Sequence, residues 1–487
     1  EHPLADKLSA YIYYCDVIAG VAGRPLESTE LAISVLAQFG CRFPKSSLGI
    51  NLRLIADILF VKGLVNKLDT LADTLPAETD PARLQLSLLL DKLALHLYTF
   101  NGPLLPLTIF RPVHWTVKYG FNDLSGASLA ATGVVLCGVL WDLQAGAKFG
   151  KCALELIKKL PRYSEVKTLF VCHAAVNHWT QPIHDQLKPL IRAYELGLRM
   201  GDTENACWAI QCFCLARFLT SFSLDLLLSD MLMYQAQYKS MQRHQTFRMG
   251  SAYTQFVANL VGKGSLENCT ALHGDILSAR DAEKWAQEDS FYRIAAHVCQ
   301  LYLYTIFGEY EACAELALER GWDAYSREVI GALMSYAEVL SNGLSSIAAA
   351  RKSGKMKYLR TAKLVHRRVK SWIGKGNPNV SQIDALLEAE FAALKNRKVA
   401  AIQKYEVAIL VSARSGLQLE AGLCSERMAE FLWDQGDRED AKFRFERALK
   451  YYREVGAFAK VAMLEKKYAN DIWPKPSEIV TLATDNT

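Results

Sequence analysis

The sequence predicts an all-α fold in which antiparallel helix pairs stack into a right-handed superhelical solenoid. Two segments near the C-terminus carry the same arrangement of small residues at one constant offset, which is typical of a helical repeat. Alternating apolar and polar runs, which half-buried strands require, are few. Glycine and proline recur at intervals that suit helix pairs joined by short turns. Together these observations favour paired helices from end to end.

The clearest helix pair is "SERMAEFLWDQGDREDAKFRFERALKYYREVG", in which two apolar helical patterns flank Gln435-Gly436-Asp437. Such spacing is typical of a tetratricopeptide unit, because small side chains let two antiparallel helices cross closely. The preceding segment, 381–416, repeats the pattern, with its three alanines at a single offset from those of the second segment. The small residues expected to pack the two repeats are Ala389, Ala401, Ala408, Ala429, Gly436, Ala441 and Ala448.

Five segments are expected along the chain. They are degenerate N-terminal helical repeats (1–115), central helical repeats (116–340), a basic amphipathic helix (341–380), the two clear repeats (381–470) and a C-terminal tail (471–487). The central segment holds an uncharged stretch between Asp123 and Asp142. This stretch barely reaches the ~18–20 apolar residues of a membrane span. Its many small residues favour a buried helix, so no transmembrane segment is expected.

The composition indicates a globular chain. Of 487 residues, 51% are hydrophobic and 22% are charged, a balance that excludes disorder. The net charge of +5 indicates no global electrostatic partner. The 12 cysteines are scattered through apolar helical patterns, which favours reduced thiols and a cytoplasmic location. The chain begins at Glu1 without a signal-peptide pattern, so we expect it to be a segment of a longer protein.

The common catalytic motifs are missing from the sequence. It contains no phosphate-binding P-loop, no H-E-x-x-H zinc motif, no G-x-S-x-G nucleophile elbow and no kinase H-R-D or D-F-G. We therefore expect no catalytic residue, no cofactor and no enzymatic activity in this chain. ATPase or protein kinase activity would reside in modules outside it.

One short stretch, "VCHAAVNHWTQPIHD", resembles a metal site. It holds Cys172, His173, His178 and His184, each a potential ligand. Neighbouring histidines are five and six residues apart, however, whereas ligands on one helix face lie three or four apart. The alternatives are a metal centre and a core-facing Trp179 whose neighbouring histidines bond to nearby groups. The second is favoured, and no metal site is predicted.

The strongest charge feature lies between Val339 and Ile383, where no acidic residue occurs. The apolar face of "KMKYLRTAKLVHRRVKSWIG" is expected to bury Tyr358, Ala362, Val365, Val369 and Trp372. Its opposite face is basic, and three interpretations are open: a solvated outer face, docking of an acidic protein or neighbouring domain, or recognition of nucleic acid, acidic lipid or calmodulin. Nucleic acid is disfavoured because aromatic residues do not interleave with the charges. The candidate partner-binding residues are Lys357, Arg360, Lys363, Arg367, Arg368 and Lys370.

Four segments carry a family resemblance. They are "LPAETDPARLQLSLLL" (75–90), "VKYGFNDLSGASLAATGVVLCGVLWDLQAGAKFGKCALEL" (117–156), "AAVNHWTQPIHDQLKPLIRAYELGLRMGDTENA" (174–206) and "ALKYYREVGAFAKVAMLEKKY" (448–468). Their order resembles the long helical region of large multidomain signalling proteins. In that family a kinase-like domain and a predicted AAA-type ATPase precede the region, and GAF and histidine kinase modules often follow. One departure is Trp141, which stands where the family has glycine.

The resemblance implies a linker and sensor region between ATP-using and phosphorelay modules. It carries over no catalytic residue, and it implies a scaffold role for Asn177-His178-Trp179. The leading prediction is thus a non-catalytic interaction and relay region that presents a concave groove to a protein, a peptide or a domain of the same polypeptide. The alternatives are a free-standing scaffold that binds an acidic partner or nucleic acid through residues 351–375, and a metal-dependent enzyme.

Overall fold

The computed structural model describes residues 7–18, 24–99, 102–159, 164–264 and 268–469. Two short 3-10 turns, Asn177–Trp179 and Ile183–Gln186, lie between Ala175 and Leu187. In chain order the α-helices are α1 (Leu8–Asp16), α2 (Pro25–Gln38), α3 (Ser47–Leu64), α4 (Leu68–Thr74), α5 (Pro81–Thr99), α6 (Leu105–Tyr119), α7 (Ser125–Gly138), α8 (Leu143–Lys159), α9 (Glu165–Ala175), α10 (Leu187–Met200), α11 (Thr203–Leu219), α12 (Leu224–Ser240), α13 (His244–Val261), α14 (Ala279–Glu288), α15 (Ser290–Phe307), α16 (Tyr310–Arg320), α17 (Ala324–Glu328), α18 (Ser335–Ser353), α19 (Met356–Gly374), α20 (Ser381–Leu394), α21 (Lys398–Arg414), α22 (Gln418–Asp434), α23 (Arg438–Val455) and α24 (Phe458–Lys467).

The regular secondary structure of these ranges is helical. Their β pairing is limited to one isolated bridge between Ala77 and Phe121. The all-α fold predicted from the sequence is therefore confirmed. Helices that follow one another pack as pairs, most extensively α7 with α8, α10 with α11, α18 with α19, α20 with α21, and α22 with α23.

The uncharged stretch between Asp123 and Asp142 forms α7, which is buried against α6, α8 and α9. Two glycines allow α7 and α8 to cross closely. A Cβ on Gly146 would lie 2.3 Å from the Cys137 sulfur, and one on Gly133 would lie 3.0 Å from the Gly146 carbonyl oxygen. Across the described ranges, no helix has both the length and the apolar character to cross a membrane.

The C-terminal helices end in the same backbone conformation at regular intervals. Gly376, Gly416 and Gly456, which follow α19, α21 and α23, are evenly spaced along the chain and have φ of 89°, 73° and 86°. Within the two pairs, the turns place Asn396 at φ 54° and Gly436 at φ 81°, with the same spacing between them. This left-handed conformation favours glycine, which has no Cβ to clash.

The small residues expected to pack the two repeats are placed as follows. Ala389, Ala401, Ala408, Ala429, Ala441 and Ala448 are all fully buried in one continuous core. Gly436 lies outside that core, and a Cβ there would meet no atom within 4 Å. Glycine at this position therefore permits the left-handed backbone conformation of the turn and does not contribute to helix packing.

The basic segment 341–380 extends over two helices. It includes the C-terminal part of α18, which Gly354 (φ 69°) follows as the cap, and all of α19. The five residues predicted to share the apolar face of α19 are all buried. In α18, every residue from Ser335 to Ala350 is buried, so this helix lies at the centre of the molecule. The predicted tail, 471–487, is outside the described residues.

Candidate functional site

The histidine-rich stretch does not assemble a metal centre. His178 is fully buried, its Nε2 donates to the Gly331 carbonyl at 2.9 Å, and its Nδ1 lies 2.9 Å from the Tyr336 hydroxyl. His173 instead bonds through Nδ1 to the Gln186 amide oxygen, at 2.7 Å. Burial lowers the pKa of His178 to about 4, so its ring stays neutral in the folded protein.

The remaining members of this stretch point to different surroundings. The Cys172 thiol donates to the Gly150 carbonyl at 3.6 Å, whereas His184 is exposed. Trp179 is fully buried. These residues thus hold the turn between α9 and α10 in the core.

Three distant segments meet around Trp179. Trp141, Trp179, Tyr336 and Trp372 form five ring contacts with centroids 5.0 to 6.1 Å apart, and we call these four residues the aromatic junction. Next to it, Asn379 donates to the His178 carbonyl oxygen at 2.7 Å. The junction therefore joins the turn after α7, the turn after α9, the start of α18 and the end of the basic helix α19.

One candidate partner-binding residue belongs to this junction. The Arg368 guanidinium lies 4.3 Å from the Trp141 ring centroid and 5.0 Å from that of Trp322. It is 3.8 Å from an Asp323 carboxylate oxygen. Burial lowers the pKa of Arg368, although the Asp323 charge opposes that effect. Arg368 is therefore a packing residue, and its charge is already balanced within the chain.

Two further candidates are also paired within the chain. Lys357 lies 2.6 Å from a carboxylate oxygen of Glu315 on α16. Lys370 lies 2.8 Å from Glu388 on α20. These acidic partners are 42 and 18 residues away, outside the acid-free stretch, so the local sequence does not reveal them. The positive charge of α19 is thus partly neutralised by its neighbours.

The other three candidates form the exposed side of α19. Arg360, Lys363 and Arg367 are all exposed, and no acidic group of the described chain forms an ion pair with them. Their spacing of three and four residues places them on one face of the helix. We call these three residues the basic stripe. Its length, from the first to the last residue, is about 10 Å at 1.5 Å per residue.

Among the described residues, one group has the composition of a metal site. Ligand atoms of His366, Asp384 and Glu388 lie within 4.8 Å of one another. His366 donates to Asp384 at 2.8 Å, and the ammonium groups of Lys370 and Lys404 both bond to Glu388. Burial raises the pKa of Glu388, but these two lysines outweigh it and hold the pKa at about 2. Two ammonium groups beside the carboxylate oppose a divalent cation, so this group is an ion-pair network.

Helix α22, the first helix of the second C-terminal pair, does not line an open groove. Nine consecutive residues, from Ala421 to Ala429, are buried, which accounts for every face of the helix over more than two turns. Arg427 pairs with Glu390 of α20 at 2.7 Å and lies 4.7 Å from the ring centroid of Tyr310 on α16. The central helix α18 contacts α20. The chain's own central helices therefore cover the inner side of these pairs.

A cavity of about 690 Å³ lies between α8, α9 and α10. Apolar residues such as Leu154 and Ile157 line part of it, and Lys148 and Arg192 contribute positive charge. Its other lysines, including Lys151, are paired with acidic residues. Among its described lining residues there is no serine, cysteine or histidine.

Comparison of the chain with protein-family models, with curated proteins and with solved structures found no match.

Proposed function

We propose that this chain is a non-catalytic interaction and relay region that docks an acidic segment of a partner, or of a neighbouring domain, on the basic stripe of α19. The observation that carries the proposal is that the six lysine and arginine residues of this helix fall into two groups, one paired with acidic residues and one not. Lys357, Arg368 and Lys370 have acidic partners inside the chain, whereas Arg360, Lys363 and Arg367 share one exposed face without them. An unneutralised row of charge on a rigid helix is suited to electrostatic docking.

The partner is an acidic protein segment because of the chemistry around the stripe. Leu364, 42% exposed, lies beside Lys363 and adds an apolar contact. The two aromatic residues of α19, Tyr358 and Trp372, are buried and offer no ring for a nucleic-acid base to stack on. Carboxylates spaced one helical turn apart in a partner would match the three cations.

The binding surface proposed here is the outer side of α19, whereas the sequence led us to expect a concave groove. A groove-lining helix needs a solvent-facing side, and α22 has none between Ala421 and Ala429. The outer helix α19, in contrast, is anchored by its apolar face and keeps its basic face in water. A partner there would contact the helix whose Trp372 belongs to the aromatic junction, so binding could be relayed to the N-terminal half.

We propose further that the helix pairs form a right-handed superhelical solenoid of tetratricopeptide-like repeats. The support is the regular recurrence of buried alanines and left-handed turn residues from Gly376 to Gly456. A high-resolution experimental structure would give the handedness directly. A left-handed succession of the pairs would contradict this part of the proposal.

The wider context follows from the family resemblance. We propose that the chain relays signals between ATP-using and phosphorelay modules of a multidomain protein in the cytoplasm, where its free thiols would stay reduced. The test is capture of separately expressed neighbouring modules by the purified chain. Failure of capture at several salt concentrations would contradict the relay role.

The docking proposal is tested with a fluorescent acidic peptide and fluorescence anisotropy. The variant R360E/K363E/R367E should bind at least about tenfold more weakly than the unchanged chain at low salt. The control K188E/R280E/K284E reverses three exposed bases elsewhere and changes the net charge equally. It should bind within about twofold of the unchanged chain.

Two results would contradict the docking proposal. Equal weakening in both variants would show that only net charge matters. Tighter binding of a DNA duplex than of the acidic peptide, lost in the stripe variant, would favour the free scaffold that binds nucleic acid. The dependence of DNA affinity on salt would then have a slope near −3, because each neutralised phosphate contributes about −0.9.

A further inference from the structure

Helix α3 carries an apolar row that no part of the described chain covers. Leu48, Leu52, Ile55 and Leu59 are 71%, 59%, 56% and 66% exposed. Single exposed leucines are common on protein surfaces, but four on one face of one helix form a contiguous patch. We call these four residues the α3 seam.

The opposite side of α3 is firmly attached to the protein. Asp57, Val61 and Leu64 are buried, and Phe60 stacks on His114 of α6 with 3.7 Å between ring centroids. The Ser46 hydroxyl accepts a hydrogen bond from the Gly49 amide and caps the start of the helix. The seam is therefore presented to solvent by a helix whose position is fixed.

The spacing of the seam is that of a coiled coil. Its residues follow one another at intervals of four, three and four, which is the a and d pattern of a heptad repeat. Such a row packs by inserting each side chain between four residues of a second helix. The occupant of this surface is therefore another helix with an apolar row of its own.

The charge around the seam restricts that helix further. From Ser47 to Val61 the only charged residues are Arg53 and Asp57, which form an ion pair with each other at 2.9 Å. Lys62, just beyond the seam, lies 3.3 Å from Asp142. An acidic or basic partner would find no unpaired charge to recognise, whereas an identical surface would meet no repulsion.

The seam is also complementary to itself. In an antiparallel arrangement about a two-fold axis between Leu52 and Ile55, Leu52 of one copy faces Ile55 of the other, and Leu48 faces Leu59. Ala56 is exposed beside the row, and a Cβ at Gly63 would meet no atom within 4 Å, so the second backbone can approach closely. We propose that α3 docks antiparallel on α3 of a second copy of this chain.

The size of the contact indicates how strong the association is. The seam spans 11 residue steps, or about 17 Å of helix. A contact of four apolar layers falls below the ~800 Å² per partner of a standard stable interface. The expected dimer is therefore weak, with a dissociation constant in the micromolar range.

The test is sedimentation equilibrium of the complete chain over about 1 to 100 µM. The unchanged chain should pass from monomer to dimer across this range, and L52E should remain a monomer throughout. V399E, which introduces the same charge at an exposed valine of α21, should dimerise like the unchanged chain. Circular dichroism should show equal helix content in all three proteins, because both substituted side chains are exposed.

The double variant L52E/I55K tests the orientation. In the antiparallel pair each introduced carboxylate faces an introduced ammonium group of the other copy, so dimerisation should return. In a parallel pair like charges would meet, and the double variant would stay monomeric. A monomeric unchanged chain at the highest concentration, or a dimer that L52E leaves intact, would overturn the proposal. A parallel outcome would overturn its antiparallel geometry.

Discussion

The indole ring of Trp372 at the end of the basic helix packs edge-on against that of Trp179, with 5.0 Å between centroids and 72° between planes. These residues are separated by almost 200 positions and belong to different halves of the chain. Both rings are fully buried. The contact therefore fixes the orientation of α19 relative to the turn after α9.

Replacement of Trp372 by alanine should destabilise the whole chain by about 3–5 kcal/mol, because it leaves a large cavity in the aromatic junction. W372F keeps a ring there and should lose less. Urea unfolding followed by circular dichroism measures both. The control L364A, on the exposed side of the same helix, should change stability by no more than ~0.5 kcal/mol. A W372A chain as stable as L364A would show that the junction does not hold the halves together.

Neighbouring arginines of α19 should behave differently. R368A removes two cation–π contacts and the Asp323 pair, and we expect a loss of about 1–3 kcal/mol in the free energy of unfolding. R367A removes an exposed side chain and should cost at most ~0.5 kcal/mol. Thermal unfolding of the two variants provides the comparison. If R367A were the more damaging change, the assignment of Arg367 to the solvent-facing stripe would be wrong.

His178 should make the chain less stable in acid. Its pKa is about 4 in the folded chain against an ordinary value of 6.5, because burial disfavours the charged ring. The unfolded chain therefore binds the proton first, and stability is lost as the pH falls from 6.5 to 4, by on the order of 3 kcal/mol.

The variant H178Q cannot take up this proton. Its deficit in unfolding free energy relative to the unchanged chain should be largest near pH 7 and should shrink towards pH 4. Urea titrations across that range measure the deficit. A deficit that does not vary with pH would contradict the neutral, buried ring.

Glu420 should have the opposite effect. Burial raises its pKa to about 7, and its Oε2 atom is buried without a hydrogen-bond partner. The folded chain holds the proton more tightly than the unfolded chain, so stability falls as the pH rises from about 4.5 to 7. The neutral isostere E420Q should gain stability relative to the unchanged chain over this interval. Equal pH profiles for the two proteins would show that the carboxyl group is already ionised below pH 5.

Gly436 should be intolerant of alanine for a backbone reason. Its φ of 81° is unfavourable for a residue with a Cβ, so G436A should cost about 1–2 kcal/mol although the site is open. Gly374 is a matched control, since it is the last helical residue of α19 and a Cβ there also meets no atom within 4 Å. G374A should be neutral or stabilising by up to ~1 kcal/mol, because alanine is the better helix former. Differential scanning calorimetry separates the two, and equal losses would contradict the backbone explanation.

Periodicity was sufficient to predict the helical class and the buried face of α19. Tyr358 and Val365 recur at the helical interval, and that interval alone determines which side of an amphipathic helix is buried. The buried position of Trp179 was predicted on a different ground, because the spacing of the neighbouring histidines disfavoured a metal centre and left a core-facing tryptophan as the alternative.

The basic surface was harder to predict from the sequence. Lys357 and Arg360 are equivalent in the sequence, but only Lys357 meets a glutamate from a helix 42 residues earlier. Such pairings depend on tertiary contacts, for which local sequence holds no signal. The backbone conformation at Trp141 was equally hard to predict, since its φ of 54° is rare outside glycine and has no local cause in the sequence.

The α3 seam differs from the basic surface, because the pattern that identifies it is present in the sequence. Leucine or isoleucine at intervals of four, three and four between Leu48 and Leu59 is a heptad pattern. A second apolar set, which includes Val61 and Leu64, obscures it, because a helix that is apolar on two sides resembles a buried one. Only the fold distinguishes the side that is covered from the side that is open.

The burial of α22 on every side has a consequence for the chain during its synthesis on the ribosome. As the chain leaves the ribosome, α16 and α18 emerge well before the helices that pack against them, since α18 contacts α20, and Tyr310 of α16 lies against Arg427 of α22. Until α20 and α22 have been made, the sides of α16 and α18 that these later helices cover stay exposed, although the finished protein buries α18 from Ser335 to Ala350. The nascent chain should therefore depend on holding chaperones until its last helices arrive. A gene fragment that ends before α22 should give an aggregating product, not a smaller working one.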